Sequence, residues 1–349
     1  MVIKMMKAAV LGATGSVGQI FVQLLSGHPW FEISVVAASE RSAERKYSEV
    51  AKWRLPTSIP EEVAELDVTS IEPEAVKDVD VVFSALPSEI ADETEKGFAK
   101  AGYVVVSNAS AHRMDPDVPL LNPEVNCDHI YLIDEQRKRR KWSGAIVTNP
   151  NCSTTILTLP LKPIYDEFGI NKVVVSTMQA LSGAGYPGVA SLDIVDNVIP
   201  FIRKEEEKFQ TETLKILGSP SEPADFKVSA SCQRVPTLDG HMEAVFVELK
   251  NEADPDSIIT SMENFVGEPQ KLGLPTAPEK PVVVRREEDR PQTRLDRMEG
   301  GGMSVVVGRV RKDPALEGVK FIALGHNTIR GAAGCGILNA EYLKVKKYI

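Results

Sequence analysis

Residues 7–25 read KAAVLGATGSVGQIFVQLL, an apolar run followed by a glycine turn and a second, periodic apolar segment. This order predicts a strand, a tight turn and a helix near the start of the chain. Strand-like runs recur at residues 32–38, 79–86 and 103–107. A helix-like segment, residues 90–101, lies between the last two of these runs. Strands that alternate with helices are typical of a parallel, doubly wound α/β sheet. We therefore expect an α/β domain over residues 1–151.

The pattern changes after residue 151. Strand-like runs now lie at 172–178, 244–250, 304–311 and 318–324, with a plausible helix at 254–265. Such spacing favours a large mixed sheet and an α+β domain over residues 152–326. The last segment, about 327–349, is rich in glycine and then helical, and we expect it to return to the first domain.

The composition excludes several classes of protein. Of the 349 residues 43% are hydrophobic and 26% are charged, and the formal net charge is −9. These values are typical of an ordinary globular protein, and the excess of acid argues against a nucleic-acid or membrane partner. No apolar run approaches the roughly 20 residues that span a bilayer. The N-terminus lacks a secretory cleavage pattern, so we expect a cytoplasmic protein. Four scattered cysteines predict free thiols and no metal site.

The glycine turn is a candidate dinucleotide site. Gly12, Gly15 and Gly18 form a GxxGxxG pattern between a strand and a helix, where backbone can approach a pyrophosphate at a helix N-terminus. This is the position of the fingerprint in a Rossmann domain. The second strand ends at Ser39, Glu40, Arg41 and Ser42. The guanidinium and hydroxyl groups suit a 2′-phosphate and favour NADP, whereas Glu40 could accept from the free ribose of NAD.

Candidate catalytic residues follow. Residues 148–155 read TNPNCSTT, which predicts a helix N-terminus at Cys152 and a reactive thiolate there. Pro160 and Pro163 predict that this helix is short or kinked. His241 stands before the predicted strand and after Gly240, so a tight turn could direct its imidazole into a cleft. The glycine-rich run 176–186 could admit a flat ring, with Gln179 orienting a substrate or water; it could equally be an ordinary loop.

Eight segments together resemble aspartate-semialdehyde dehydrogenase, in its archaeal and fungal branch. They are GATGSVG, AASERSA, SNASAHRMDPDVPLLNPEVN, TNPNCSTT, TMQALSGAGYPG, EEEKFQTETLKILG, RVPTLDGH and HNTIRGAAG, and they extend from residue 12 to residue 334. The resemblance implies NADPH-dependent reduction of L-4-aspartyl phosphate to L-aspartate 4-semialdehyde, an oxidoreductase step in the biosynthesis of lysine, threonine, methionine and isoleucine. It also implies a catalytic and dimerisation role for the second domain, in a homodimer or homotetramer.

The resemblance also implies roles for individual residues. Cys152 would form a thioacyl-enzyme, His241 would be the general acid/base, and Gln179 would position the reacting group. The residues implied to bind substrate are Arg234 (carboxylate), Glu205 (amino group), and Arg113, Asn151 and Lys208 (phosphate). Glu206 or Glu207 could replace Glu205. The residues implied to bind NADP are Gly12, Thr14, Gly15, Ser16, Val17, Ser39, Arg41, Ser42, Ser182, Gly183 and Asn327.

Three alternatives stay open at this point. A malonyl-CoA or succinyl-CoA reductase would share the nucleophile and cofactor but must admit a CoA arm, and Asn151 directly before Cys152 resembles the semialdehyde enzyme more. N-acetyl-glutamyl-phosphate reductase matches the motifs less well. A non-catalytic NADP sensor would not need Cys152, Gln179, Arg234 and His241 together.

Overall fold

A computed structural model of the chain describes residues 5–349. The chain divides into two compact units: unit 1 holds residues 5–121, 128–150 and 332–349, and unit 2 holds 122–127 and 151–331. Residues 122–127, 151 and 327–331, which were expected in the first domain, group with unit 2. The buried guanidinium of Arg330 accounts for this, because it donates to both carboxyl oxygens of Glu124 at 2.7 Å and so joins the two segments.

Unit 1 is built on six parallel strands, β1 (Met6–Leu11), β2 (Phe31–Ala37), β3 (Val68–Thr69), β4 (Val81–Ser84), β5 (Val104–Ser107) and β6 (Ala145–Thr148). Their order is β3-β2-β1-β4-β5-β6. This order and the parallel pairing are those of the doubly wound Rossmann sheet, so the predicted fold class is confirmed. The order reverses beside β1, which places the turn after β1 at the edge where such sheets bind ligands.

Unit 2 contains a large mixed sheet, as predicted, and this sheet has six strands. Its strands are β7 (Ile170–Gln179), β8 (Lys227–Arg234), β9 (His241–Leu249), β10 (Val282–Arg285), β11 (Val305–Lys312) and β12 (Gly318–Gly325), in the order β10-β11-β12-β9-β7-β8. The outer pairs β7–β8 and β10–β11 are parallel, and the three inner pairs are antiparallel. Alternate residues of β9 are buried from His241 onward, so one face of the sheet is covered and the other is partly exposed.

The helices, numbered along the chain, are α1 (Ser16–Leu25), α2 (Tyr47–Val50), α3 (Glu61–Ala64), α4 (Ser88–Lys100), α5 (Pro123–Asn126), α6 (Leu132–Arg140), α7 (Cys152–Phe168), α8 (Ser191–Ile194), α9 (Glu205–Leu217), α10 (Pro255–Glu263), α11 (Glu268–Lys271), α12 (Thr293–Asp296) and α13 (Gly334–Val345). A single π-helical turn, Ile329–Ala333, precedes α13. Within residues 5–349 no helix combines the length and apolarity needed to cross a bilayer.

The bounds of one helix and one strand differ from those expected. The helix that begins at Cys152 was expected to be short or kinked, and it is not short: α7 extends over 17 residues through Pro160 and Pro163. Most of its side chains are buried, so tertiary packing outweighs the hydrogen bonds that the two prolines remove. The strand predicted from Ala244 begins instead at His241, because His241 pairs with Gly325 and extends the ladder between β9 and β12.

Candidate active site

Cys152 is the first residue of α7, and the residue before it caps this helix. Asn151 Oδ1 accepts hydrogen bonds from the backbone N–H groups of Ser153 (2.9 Å) and Thr154 (3.3 Å). α7 therefore begins where the sequence predicts it. The Cys152 sulfur lies at the positive end of the helix dipole, which favours a thiolate over a thiol.

The imidazole of His241 contacts this sulfur and is held in one tautomer. Its Nε2 lies 3.2 Å from Cys152 Sγ, and its Nδ1 accepts a hydrogen bond from the backbone N–H of Ala180 at 3.0 Å. Because Nδ1 is an acceptor, the proton of the neutral ring is on Nε2, directed at the sulfur. Complete burial, together with the charge of Arg234, lowers the pKa of His241 well below its ordinary value. The resting site is therefore a neutral imidazole that donates to sulfur.

The backbone carbonyl group of Ala180 positions the guanidinium of Arg234. Arg234 Nη1 donates to the Ala180 carbonyl oxygen at 2.7 Å. Burial lowers the pKa of Arg234 from its ordinary value, and the charges of Cys152 and Glu205 oppose this shift. The guanidinium is a buried, fixed positive charge, with further N–H donors for an anionic group of a substrate.

A carboxylate completes the cluster. Glu205 Oε1 accepts from Asn151 Nδ2 at 2.8 Å and from Gln179 Nε2 at 3.1 Å. The backbone N–H of Asn151 donates to a second acid of α9, Glu212 Oε2, at 2.6 Å. Asn151 thus links the start of α7 to two carboxylates, and Gln179 is held beside them.

The three consecutive acids of α9 differ in their surroundings. Glu205 is buried against Asn151 and Gln179, Glu206 accepts from the backbone N–H of Cys232 at 3.0 Å, and Glu207 is exposed. Only Glu205 of the three lies in the cluster with Cys152 and Arg234. Lys208, one turn further along, is half-buried and forms no ion pair among residues 5–349.

The π-helical turn places a glycine against Cys152. A Cβ atom built on Gly331 would lie 2.6 Å from Cys152 Cβ and 2.9 Å from Cys152 Cα. No side chain larger than hydrogen fits between these backbones without displacing Cys152. π-Turns occur frequently at functional sites, and this one fixes the approach of one segment to the sulfur-bearing residue.

The loop after β7 lies over the histidine and arginine. A Cβ atom on Gly183 would lie 2.8 Å from Arg234 Nη1 and 3.0 Å from His241 Nε2. Asn327 braces this loop: its Nδ2 donates to Ser182 Oγ at 2.8 Å, and its Oδ1 accepts from the backbone N–H of Gly240 at 2.9 Å. Three residues predicted to contact the cofactor therefore lie together in unit 2, beside His241.

The glycine turn of unit 1 fits a dinucleotide pyrophosphate. Gly12 has φ +71°, and a Cβ atom there would lie 2.8 Å from the Ala85 carbonyl oxygen. A Cβ atom on Gly18 would lie 2.1 Å from the Gly12 carbonyl oxygen, so the turn and helix can pack this closely only without side chains. No side chain caps the N-terminus of α1, which leaves its first N–H groups available to an anion. The predicted residues Gly12, Thr14, Gly15, Ser16 and Val17 all lie in or next to this turn.

The remaining predicted residues of unit 1 are at two places. Ser39 to Ser42 follow β2 at the same sheet edge as the glycine turn, and Ser39 and Arg41 are exposed. Arg41 forms no ion pair within residues 5–349, so its charge is free to meet a phosphate. Arg113 is mostly buried, and its Nη2 donates to the Asn108 carbonyl oxygen at 2.9 Å.

Sequence reasoning missed Ala180, Glu212 and Gly331. Ala180 acts only through its backbone, for which a sequence carries no residue-type signal. Glu212 lies seven residues after Glu205, two helical turns along the same face, and this spacing could have identified it. Gly331 belongs to a motif that supports the family resemblance, but its contact with Cys152 depends on tertiary structure.

Two family models match the chain. Residues 7–133 match the NAD binding domain of semialdehyde dehydrogenase, and residues 161–330 match its dimerisation domain. The aspartate-semialdehyde dehydrogenase of Methanothermobacter thermautotrophicus is 57% identical over 97% of this chain and 99% of its own length. The malonyl CoA reductase (NADP) of Metallosphaera sedula is 45% identical over 99% of this chain and 98% of its own.

A solved structure agrees with these matches. The crystal structure of aspartate semialdehyde dehydrogenase with NADP from Candida albicans is 43% identical, covers 99% of this chain and all of that one, and superposes with a TM-score of 0.92. The family resemblance drawn from the sequence motifs is thereby confirmed. The chain belongs to the aspartate-semialdehyde dehydrogenase family.

Proposed function

We propose that this protein catalyses the NADPH-dependent reductive dephosphorylation of L-4-aspartyl phosphate to L-aspartate 4-semialdehyde, and the phosphorylating oxidation in reverse. The observation that carries the proposal is the 3.2 Å contact between Cys152 Sγ and His241 Nε2 at the N-terminus of α7, beside Arg234 and Glu205. A nucleophilic sulfur, a hydrogen-bond donor, a cation and a carboxylate are what an amino-acid acyl phosphate requires.

Cys152 is the nucleophile in this proposal. Its thiolate attacks the acyl carbon of aspartyl phosphate, a C–S bond forms, and phosphate leaves with the electron pair of the broken C–O bond. When NADPH is bound it supplies the hydride that reduces the acyl carbon. Cys152 is regenerated as a thiolate when the C–S bond breaks, so the enzyme ends in the protonation state in which it began.

His241 acts in this scheme as a hydrogen-bond donor. The Ala180 N–H occupies Nδ1, and the Nε2 proton is directed at the sulfur, so the neutral ring cannot take the proton of a Cys152 thiol. It can donate to the thiolate, and then to the oxyanion that forms on the carbon bonded to that sulfur. This donor serves as the general acid/base expected on the tetrahedral intermediate, and a neutral histidine suits the role because a buried cation would be costly.

The substrate's charged groups have matching partners. The Arg234 guanidinium binds the α-carboxylate, a bidentate task for which its planar fork is suited. The Glu205 carboxylate binds the ammonium group and also keeps Gln179 and Asn151 in place. In unit 2, Lys208 and Asn151 supply donors for the phosphate.

Each unit contains residues that were predicted to bind the cofactor. In unit 1 the N-terminus of α1 and Thr14 would hold the pyrophosphate, with Ser39, Arg41 and Ser42 at the 2′-phosphate. In unit 2 the loop carrying Ser182 and Gly183, braced by Asn327, would hold the nicotinamide. Unit 1 is accordingly the NADP-binding domain and unit 2 the catalytic and dimerisation domain.

A homodimer or homotetramer is part of the proposal. The partly exposed face of the unit 2 sheet carries Val174, 43% exposed, and the segment around α8 exposes Leu192, Val195, Val198 and Phe201. Apolar side chains grouped in this way are typical of an interface between subunits. A cytoplasmic location is proposed with it, since the four cysteines are free thiols and disulfides are rare in reducing compartments.

A CoA-thioester reductase is the second candidate, favoured by the 45% identity to the malonyl CoA reductase of Metallosphaera sedula. It explains less of the site, because malonyl-CoA and succinyl-CoA have no ammonium group for the buried Glu205 carboxylate to bind.

Absorbance of NADPH distinguishes the two candidates. Purified protein with aspartate semialdehyde, phosphate and NADP⁺ should form NADPH, while malonyl-CoA or succinyl-CoA with NADPH should give no loss of absorbance. The Cys152→Ser variant, which keeps the helix and its cap, should bind NADP as the wild type does and lose most turnover. Consumption of a CoA thioester alone would leave Cys152 as the nucleophile and refute the substrate assignment.

A further inference from the structure

A second row of polar side chains lies directly beside the catalytic residues on the covered face of the unit 2 sheet. Gln179 of β7 pairs with Arg234 of β8, and two residues back along these strands Thr177 pairs with Cys232. On its other side Thr177 pairs with Glu243 of β9. The next row on this face is apolar and consists of Val175, Ala230 and Val245. Glu243 therefore stands between the reacting groups and the apolar core.

The carboxyl group of Glu243 is buried without a partner. Its side chain is 0% exposed, and neither carboxyl oxygen has a hydrogen-bond partner among residues 5–349. Burial and the charge of Glu205 raise the pKa of Glu243 well above its ordinary value. The folded protein thus holds a neutral carboxylic acid here, since an unpaired buried carboxylate would be strongly disfavoured.

Two ionisable groups interact with this position from neighbouring elements. They are Glu205 on α9 and Cys232, which lies on β8 across Thr177 from Glu243. Burial, with the charges of Glu205 and Glu206 contributing, raises the pKa of the Cys232 thiol to about 12, so the thiol also stays neutral. The charge of Glu205 would repel a negative charge on Glu243.

We propose that Glu243 is a positioning residue that works as a neutral acid: it fills the row beside Gln179 with a long but uncharged side chain, so that Glu205 keeps its hydrogen bonds from Gln179 and Asn151. The inference rests on the proposed function, because Glu205 and Gln179 serve the substrate.

The contacts of Gln179 explain why neutrality matters. Its Nε2 donates both to Thr177 Oγ1 (3.3 Å) and to Glu205 Oε1 (3.1 Å). An ionised Glu243 would place a second negative charge beside Glu205 and would repel it. A neutral acid leaves both partners of Gln179 in place.

Two variants test this. Glu243→Val introduces the residue type that occupies the next position on this face, Val245. It should lower kcat/KM for aspartate semialdehyde about tenfold at pH 7. Glu243→Gln, a neutral isostere of the protonated acid, should restore kcat/KM to within about threefold of the wild type. Glu95→Gln is the matched control, a buried glutamate of unit 1 that accepts hydrogen bonds from Ser84 and Ser107, and it should leave kcat/KM unchanged.

Thermal unfolding adds a readout that is independent of activity. The unfolded chain releases the Glu243 proton above its ordinary pKa, whereas the folded chain keeps it. The wild type should therefore lose stability relative to Glu243→Gln as the pH rises from 5 to 8. A Tm difference that is independent of pH, or a Glu243→Gln variant as impaired as Glu243→Val, would overturn the inference. Absence of turnover in the wild type would instead refute the proposed function, and the unfolding measurement would still decide the state of Glu243.

Discussion

Gly331→Ala is a direct test of whether packing against the π-turn sets the position of the nucleophile. The new Cβ would lie 2.6 Å from Cys152 Cβ, about 0.8 Å short of the 3.4 Å at which ordinary van der Waals contact begins. Gly331 does not have a positive φ, so alanine adds no backbone strain and the effect is steric. Either α7 or the π-turn must move by most of that distance.

The expected loss of activity follows from the displacement of Cys152. A shift of ~1 Å in a reacting group lowers the rate about 10²-fold, which corresponds to ~2.7 kcal/mol in activation free energy. We expect kcat to fall by about this factor at saturating substrate and NADP⁺. Overpacking should also lower the free energy of unfolding by ~1–3 kcal/mol, so kcat is measured well below the Tm of the variant.

Gly97→Ala is the matched control. Gly97 lies inside α4, and a Cβ atom there would meet only Pro73 Cγ at an unstrained 3.9 Å. This variant should keep its kcat and gain up to ~1 kcal/mol in stability from helix propensity. A Gly331→Ala variant with kcat within threefold of wild type, and unchanged alkylation of Cys152, would refute the reasoning.

Three other perturbations test the site. Arg234→Lys should raise KM for aspartate semialdehyde about 30-fold, because the variant loses ~2 kcal/mol of charge-assisted hydrogen bonding. An unchanged KM in steady-state kinetics would show that Arg234 does not bind the substrate carboxylate. Asn151→Ala should lower the free energy of unfolding by at least ~1 kcal/mol, because α7 loses its cap; a denaturant midpoint equal to that of the wild type would contradict this. As the pH falls below 6.5, His241 binds a proton in the unfolded chain but not in the folded one, so the free energy of unfolding should decrease. The His241→Gln variant lacks this proton uptake, and its Tm should therefore fall less than that of the wild type between pH 7.5 and 5.5.

The sequence by itself determined the features that depend on near neighbours in the chain. The strand, glycine turn and helix of residues 7–25 are encoded by apolar periodicity and by glycines that permit close backbone approach. The start of α7 at Cys152 is encoded in the same way, since the capping Asn151 directly precedes it. The alternation of strands and helices was sufficient to predict the parallel sheet of unit 1, and the spacing of strand-like runs after residue 151 predicted the mixed sheet of unit 2.

Only the tertiary structure decided the features that depend on distant residues. Burial of α7 carries it through Pro160 and Pro163 against local propensity. The ladder between β9 and β12 starts the strand at His241, and the Ala180 backbone, 61 residues away along the chain, selects the tautomer of that histidine. The neutral state of Glu243 arises in the same way, because its burial and the neighbouring charge of Glu205 exist only once the sheet and α9 have packed together.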